Sequence, residues 1–267
     1  MSSTAPVASA KDIAKHGWTA VPVDPKEIFG DRSYQHKPPP DSISDLPFPY
    51  NDPIVAKVHT YARAHLPEPT YNHSMRVYHF GYCILKHQFP GQASVLSTST
   101  WALSCLLHDI GTTPDNLRST LLSFEWFGGI LALDLLKSHG ASQPQREAVA
   151  EAIIRHQDIG TVGKITFLGQ LIQLATIFDN MGGRPELVGQ KTRDEVVAKF
   201  PRLGWSGCFA KTIREENGLK PWAHTTHLGE EEFPNGVEGN QLMAPYEQQE
   251  RSERAGLSKS SFSPSNP

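Results

Sequence analysis

The sequence predicts an all-α protein. Successive stretches between residues 53 and 200 repeat apolar side chains at helical spacing, and none alternates apolar and polar residues at the period of two that marks a half-buried strand. A third observation concerns how the stripes end. Several are completed by a histidine or an aspartate on the face that should be buried, and such groups rarely enter a core without a partner.

At 267 residues, 38% hydrophobic and a formal net charge of −3, the chain can build one substantial core, and it lacks the basic excess of a nucleic-acid-binding protein. It shows neither a bilayer-length apolar run nor a basic-then-apolar leader, so a cytoplasmic protein without membrane contact is expected. Cys83, Cys105 and Cys208 are odd in number and far apart, which suits reduced thiols better than a disulfide framework. Asn72-His73-Ser74 fits the glycosylation pattern but falls inside an expected helix of a chain with no export signal, and it is set aside.

Residues 1–50 read as an extended arm and Pro-rich linker, with Trp18 as an anchor and regular structure opposed by the prolines between Lys37 and Pro49. A helical domain follows over 51–230. Its first helix spans Pro53 to His65, with proline suited to the first position and Pro67 beyond the end. A second begins near Thr70 and carries the inward stripe His73, Val77, Phe80, Ile84. The residues Ser97 to Thr100 offer caps for a third, on which Cys105, Leu106, His108 and Asp109 extend an apolar face into Gly111.

After a polar connection from Thr112 to Thr120, Leu121 to His139 is helical in pattern. Gly128-Gly129 there suits close helix packing, since no phosphate-loop spacing surrounds it. Gln145 to His156 presents Val149, Ala152, Ile153 and His156 on one face; Ile165 to Asn180 presents Leu168, Leu171, Ile172, Ala175 and Asp179. A short helix is expected over Thr192 to Phe200, followed by an aromatic-rich region to Trp222 and a polar, flexible tail over 231–267.

His73, His108, Asp109 and Asp179 come from three helices, and each continues its helix's apolar stripe. Uncompensated, they would cost several kcal/mol by ordinary desolvation estimates, and convergence on one divalent cation removes that cost. Imidazole nitrogens and carboxylate oxygens suit Zn²⁺, with Fe²⁺ or Mn²⁺ as alternatives. A cation so held can lower the pKa of a water from 15.7 towards neutrality, which points to hydrolysis or hydration. Arg76, one turn from His73, could pair with a site carboxylate or bind a phosphate. His224 and His227 lack the carboxylate or cysteine pattern of a second metal site, and Phe124, Trp126, Phe127 and Phe178 read as core.

The order His73, His108-Asp109, Asp179 resembles the HD-domain superfamily, helical metal enzymes that are mostly phosphohydrolases. Longer runs resemble the fungal cyanamide hydratases: Gly17 to Val23, Thr70 to Val77, Trp101 to Thr112, Glu147 to His156, Ile165 to Thr176 and Lys220-Pro221-Trp222 with His224 to His227. The chain departs from that pattern over Met181 to Arg193 and beyond about Tyr246.

This resemblance implies an HD-type helical bundle in which His73, His108, Asp109 and Asp179 hold Zn²⁺ and water is added to the nitrile of cyanamide to give urea. It also implies that His156, with Thr112 or Thr120, orients substrate or relays a proton. The competing readings are an HD phosphohydrolase acting on a nucleotide or small phosphomonoester, for which only Arg76, Arg118 and Arg155 lie close to the motifs, and a scaffold that keeps its metal for stability. Homo-oligomerisation through the arm and the C-terminal region is compatible with the sequence.

Overall fold

The long apolar stripes form the helices that surround the site. In the computed structural model, which describes residues 8–260, the chain opens with α1 (Ala10–Lys15), β1 (Ala20–Pro22) and α2 (Pro25–Phe29). The central domain follows as α3 (Pro53–His65), α4 (Glu68–Gln88), α5 (Pro90–Ala93), α6 (Thr98–Leu107), α7 (Pro114–Arg118), α8 (Phe124–Ser138) and α9 (Gln143–Arg155). Then come β2 (Lys164–Thr166), α10 (Phe167–Met181), α11 (Gln190–Lys199), α12 (Trp205–Leu219), α13 (Glu232–Glu238) and α14 (Ala244–Ser260).

α4 lies at the centre, packed against α6, α10, α11 and α12, because its stripe is wide: Met75, Val77, Tyr78, Phe80, Cys83 and Ile84 are all buried. A Cβ at Gly81 would come within 2.1 Å of the Trp101 ring, so the missing side chain is what lets α4 and α6 approach. Gly129 serves the α8–α9 contact similarly, since a Cβ there would meet Ile154 at 2.5 Å. This is the packing role expected for Gly128-Gly129.

Helix ends follow local chemistry. α3 spans the expected residues, with Asp52 accepting from the amides of Ile54 and Val55 and Pro53 in its first turn. Ser97 caps α6 through the Thr100 amide. α4 starts at Glu68 rather than near Thr70, because Pro69 fits the first turn, where no amide is needed. α12 lies in the aromatic-rich region, where the sequence reading places no helix, although Trp205, Phe209, Ile213 and Glu216 form a buried stripe at helical spacing.

Three further expectations change. The chain does contain a small sheet: β1 and β2 pair antiparallel, Ala20 opposite Thr166, Val21 opposite Ile165 and Pro22 opposite Lys164. Strands of three residues are too short to show a period of two, and α10 consequently begins at Phe167, capped by the Thr166 hydroxyl. The arm lies across the core with Trp18 as its anchor, as expected, the indole N–H donating to the Pro144 carbonyl at 3.0 Å, but it carries the short helices α1 and α2 where an extended segment was expected.

The C-terminal segment continues as packed helices past residue 231, where a polar tail was expected. Phe233 and Val237 of α13 are buried in a second cluster with Leu117, Phe124, Trp205, Phe209 and Ile213, and Met243 and Glu247 are buried at the start of α14. The end of the expected tail, 261–267, lies outside the described residues. Among the described residues no helix is long and apolar enough to cross a membrane.

His79 on α4 is buried against Phe200, and burial, with Lys199 adding repulsion, lowers its pKa from 6.5 to about 3. The folded value lies below the unfolded one, so the unfolded chain binds the proton first as pH falls. The stability associated with neutral His79 is therefore complete above pH 6.5 and is lost towards pH 3, at roughly 1.4 kcal/mol per pH unit within that window. Urea denaturation between pH 7 and 5 should show this acid slope, and His79→Leu should flatten it. An unchanged slope in the variant would assign the acid sensitivity elsewhere.

Candidate metal centre

Four helix ends and turns deliver the polar side chains. His73 enters from the second turn of α4, and His108 is the C-cap of α6. Asp109 follows directly and opens the 3-10 turn Ile110–Thr112, while His156 is the C-cap of α9. The turn after Asp109 is seated tightly on α8, since a Cβ at Gly111 would meet the Phe124 carbonyl oxygen at 2.1 Å. Glycine is thus required where the His-Asp pair meets its neighbour.

The hydrogen bonds fix the state of all three rings. His108 Nδ1 lies 2.8 Å from the Cys105 carbonyl, His156 Nδ1 lies 2.6 Å from the Ile153 carbonyl and His73 Nδ1 lies 2.7 Å from Asp179 Oδ2. Carbonyls and carboxylates only accept, so each Nδ1 carries the hydrogen and each ring, when neutral, presents a lone pair at Nε2, which at His156 the Gln157 amide nitrogen approaches at 3.4 Å. Those lone pairs converge. His73 Nε2 is 3.1 Å from His108 Nε2, and Asp109 Oδ2 is 3.6 Å and 3.3 Å from the two. His156 Nε2 faces the other carboxylate oxygen at 3.8 Å.

The result is a cluster of acceptors with no hydrogen to share. Both Asp109 oxygens are buried without a hydrogen-bond partner among the protein's own groups, and the four side chains are 0–1% exposed, out of reach of bulk solvent. A cation resolves the conflict, and the donor atoms of His73, His108 and Asp109 all lie within 4.8 Å of one another, as a shared ion requires.

The electrostatics agree. Burial lowers the pKa of His73 and of His156 to about 4, which keeps both neutral and able to offer a lone pair. Burial opposes ionisation of Asp109 too, but His108 and His73 outweigh it and hold the carboxyl far below its usual range. At His108 burial is likewise overcome, by Asp109 beside it, and the pKa is raised. Positive charge is favoured at this point of the cluster.

Asp179 stands apart from that group. It sits behind His73, on the Nδ1 side, where two buried guanidiniums clamp it. Arg76 donates from Nε and Nη2 at 2.9 Å, and Arg202 donates from Nη1 at 2.8 Å. Burial raises the cost of charge at Asp179, but Arg76 and Arg202 outweigh it and hold its pKa well below the ordinary value. As placed, Asp179 accepts from the Nδ1 edge of His73, the position taken by carboxylates that stand behind metal-binding histidines. The sequence reading places it among the direct ligands, and its stripe position alone does not say which edge of His73 it meets.

The remaining expected residues divide. Thr112 is buried beside the site, its hydroxyl donating to the Asp109 carbonyl at 2.7 Å. The half-buried Thr120 is not brought there; its hydroxyl accepts from the Leu122 amide within a turn. His224 Nε2 is 2.9 Å from Asp158, and Phe124 packs edge-on to His156.

Residues not singled out beforehand complete the surroundings. Trp205 stacks on His73 at 4.2 Å between ring centroids and donates to Asn180 at 2.7 Å. Glu247 accepts from Arg202 Nε at 3.0 Å, and Asn240 donates to the Asp179 carbonyl at 2.9 Å. The Trp205 stripe carried a readable signal; the pairing of Arg202 with Asp179 carried none, because it joins a loop to a helix at no fixed spacing.

The profile of the HD domain family matches residues 70–181, which contain every residue of the cluster together with Asp179. The protein is accordingly a helical HD-domain protein with a buried His/Asp metal-binding candidate. Cyanamide hydratase DDI2 and cyanamide hydratase DDI3 of Saccharomyces cerevisiae (strain ATCC 204508 / S288c) are each 39% identical to it over 220 residues, 82% of this chain and 94% of theirs. Within the HD-domain proteins the chain belongs to the cyanamide hydratase family.

Proposed function

We propose that the protein is a metal-dependent cyanamide hydratase acting in the cytoplasm, with Zn²⁺ held by His73, His108 and Asp109. The convergence of bare Nε2 lone pairs on an unpartnered Asp109 carries the metal assignment, and the 39% identity to two cyanamide hydratases carries the substrate. A divalent cation at this point supplies Lewis acidity and lowers the pKa of a bound water.

The chain's own groups do the rest. His156, neutral because burial holds its pKa near 4, can take a proton at Nε2 as the water oxygen bonds to the nitrile carbon. Its Nδ1 hydrogen bond to Ile153 keeps the ring in that tautomer. The nitrile nitrogen gains the proton, and tautomerisation of the adduct gives urea. Thr112 holds the Asp109 backbone in place through the carbonyl, and Asp179 fixes the His73 ring.

The phosphohydrolase reading lacks its anion site. Arg76 is committed to Asp179, Arg118 to Glu215, and Arg155 to Asp158 at 2.7 Å, so each arginine near the motifs already has a carboxylate. A fully buried centre without a free cation favours a small uncharged substrate over a nucleotide. Purified protein should release urea from cyanamide, lose that activity on chelation and regain it with Zn²⁺. Folded, metal-loaded protein that forms no urea would overturn the proposal, and phosphate release from a nucleotide panel would replace it.

A further inference from the structure

Away from the centre, the Pro-rich segment brings a second set of metal-capable side chains to α4. Cys83 and His87 are four residues apart on that helix and so share one face. Asp41 reaches them from the segment between Lys37 and Pro49, its carbonyl held by the Thr192 hydroxyl at 2.8 Å. Asp41 Oδ2 is 2.5 Å from His87 Nε2 and 3.9 Å from Cys83 Sγ, and the three donor atoms lie within 4.8 Å of one another.

We propose that Asp41, Cys83 and His87 bind a thiophilic divalent cation of the zinc type, which fastens the N-terminal segment to the central helix. Thiolate, imidazole and carboxylate are three donors of a tetrahedral Zn²⁺ site, with a water left for the fourth position. Cys83 is fully buried, yet its sulfur lies beside a carboxylate that already meets an imidazole, an unusual setting for a thiol retained only for packing. Lys86 Nζ contacts the other Asp41 oxygen at 3.4 Å; it is 42% exposed on a flexible stem and leaves Oδ2 to the cation.

Burial pushes the free Cys83 thiol up to about 12, so ligation displaces a proton. One M²⁺ enters and one proton leaves Sγ; the hydrogen that His87 Nε2 now gives to Asp41 Oδ2 is replaced by one on Nδ1, so that the neutral ring ligates through Nε2, and the thiolate and carboxylate together balance the ion's charge. The thiolate selects zinc-like ions over Mg²⁺ or Ca²⁺. The His73-His108-Asp109 centre offers only nitrogen and oxygen donors, so a sulfur signature reports the new site alone.

The test is a Co²⁺ titration of the metal-stripped full chain. The expected result is an additional bound equivalent that brings a thiolate-to-metal charge-transfer band in the near ultraviolet. Cys83→Ser should abolish the band while binding at the nitrogen-oxygen centre persists, and His87→Gln should weaken the banded equivalent at least tenfold. Cys83→Ala serves as the second variant at that position. Absence of the band in the native protein, or its survival in either Cys83 variant, overturns the proposal. Neither outcome bears on the cyanamide reading, whose measure is urea.

Discussion

His108→Ala should lose its bound metal and, with it, the release of urea from cyanamide. Removal of a residue that merely orients a ligand costs roughly 10–100-fold in metal affinity, and loss of a converging donor should exceed that. The substitution takes away the ring whose Nε2 faces both His73 and Asp109, and it leaves the Asp109 carboxylate with less positive charge to face. Metal content by elemental analysis, a urea assay and circular dichroism on the same preparation decide the matter. Native-like helix content with metal and turnover both gone is the expected pattern. Retention of metal and turnover would remove His108 from the centre, whereas collapse of the fold would favour a metal kept for stability.

Asp179→Ala should be the most destabilising single change near the site, at about 3–5 kcal/mol, because it strands buried charges. Arg76 and Arg202 are 0% exposed and both point at this carboxylate, and the Nδ1 hydrogen of His73 does too. Stabilities of single domains are about 5–15 kcal/mol, so the loss should be plain as a lower midpoint in urea denaturation. Asp179→Asn keeps the shape and an acceptor oxygen and should fold. If Asp179 acts through His73, that variant binds metal more weakly while still binding it. Metal retention at undiminished affinity in Asp179→Asn would deny Asp179 the orienting role.

Much of the site could be read from the chain because its residues obey helix geometry. His73 continues the stripe of Val77, Phe80 and Ile84, and His108-Asp109 ends an apolar helix on a glycine; burial along a helical face leaves a periodic trace. What escaped was set by tertiary geometry. The β1–β2 pairing involves strands too short to alternate, and only the fold brings Ala20 to Thr166. The placement of Asp179 behind His73 depends on Arg202, which no repeat connects to it. The C-terminal helices read as tail because that stretch is polar, while the few side chains that dock it, Phe233, Val237, Met243 and Glu247, are spread thinly.

The clamp on Asp179 also ties the C-terminal helices to the site. Arg202, one jaw of that clamp, is held by Glu247 at the beginning of the last helix, and Asn240 secures the Asp179 backbone from the loop before it. The stretch from Asn240 to Glu247 therefore acts as a keystone set far from the cluster: a chain cut before Asn240 keeps His73, His108 and Asp109, while Arg202 loses its seat and the Asp179 backbone its tie.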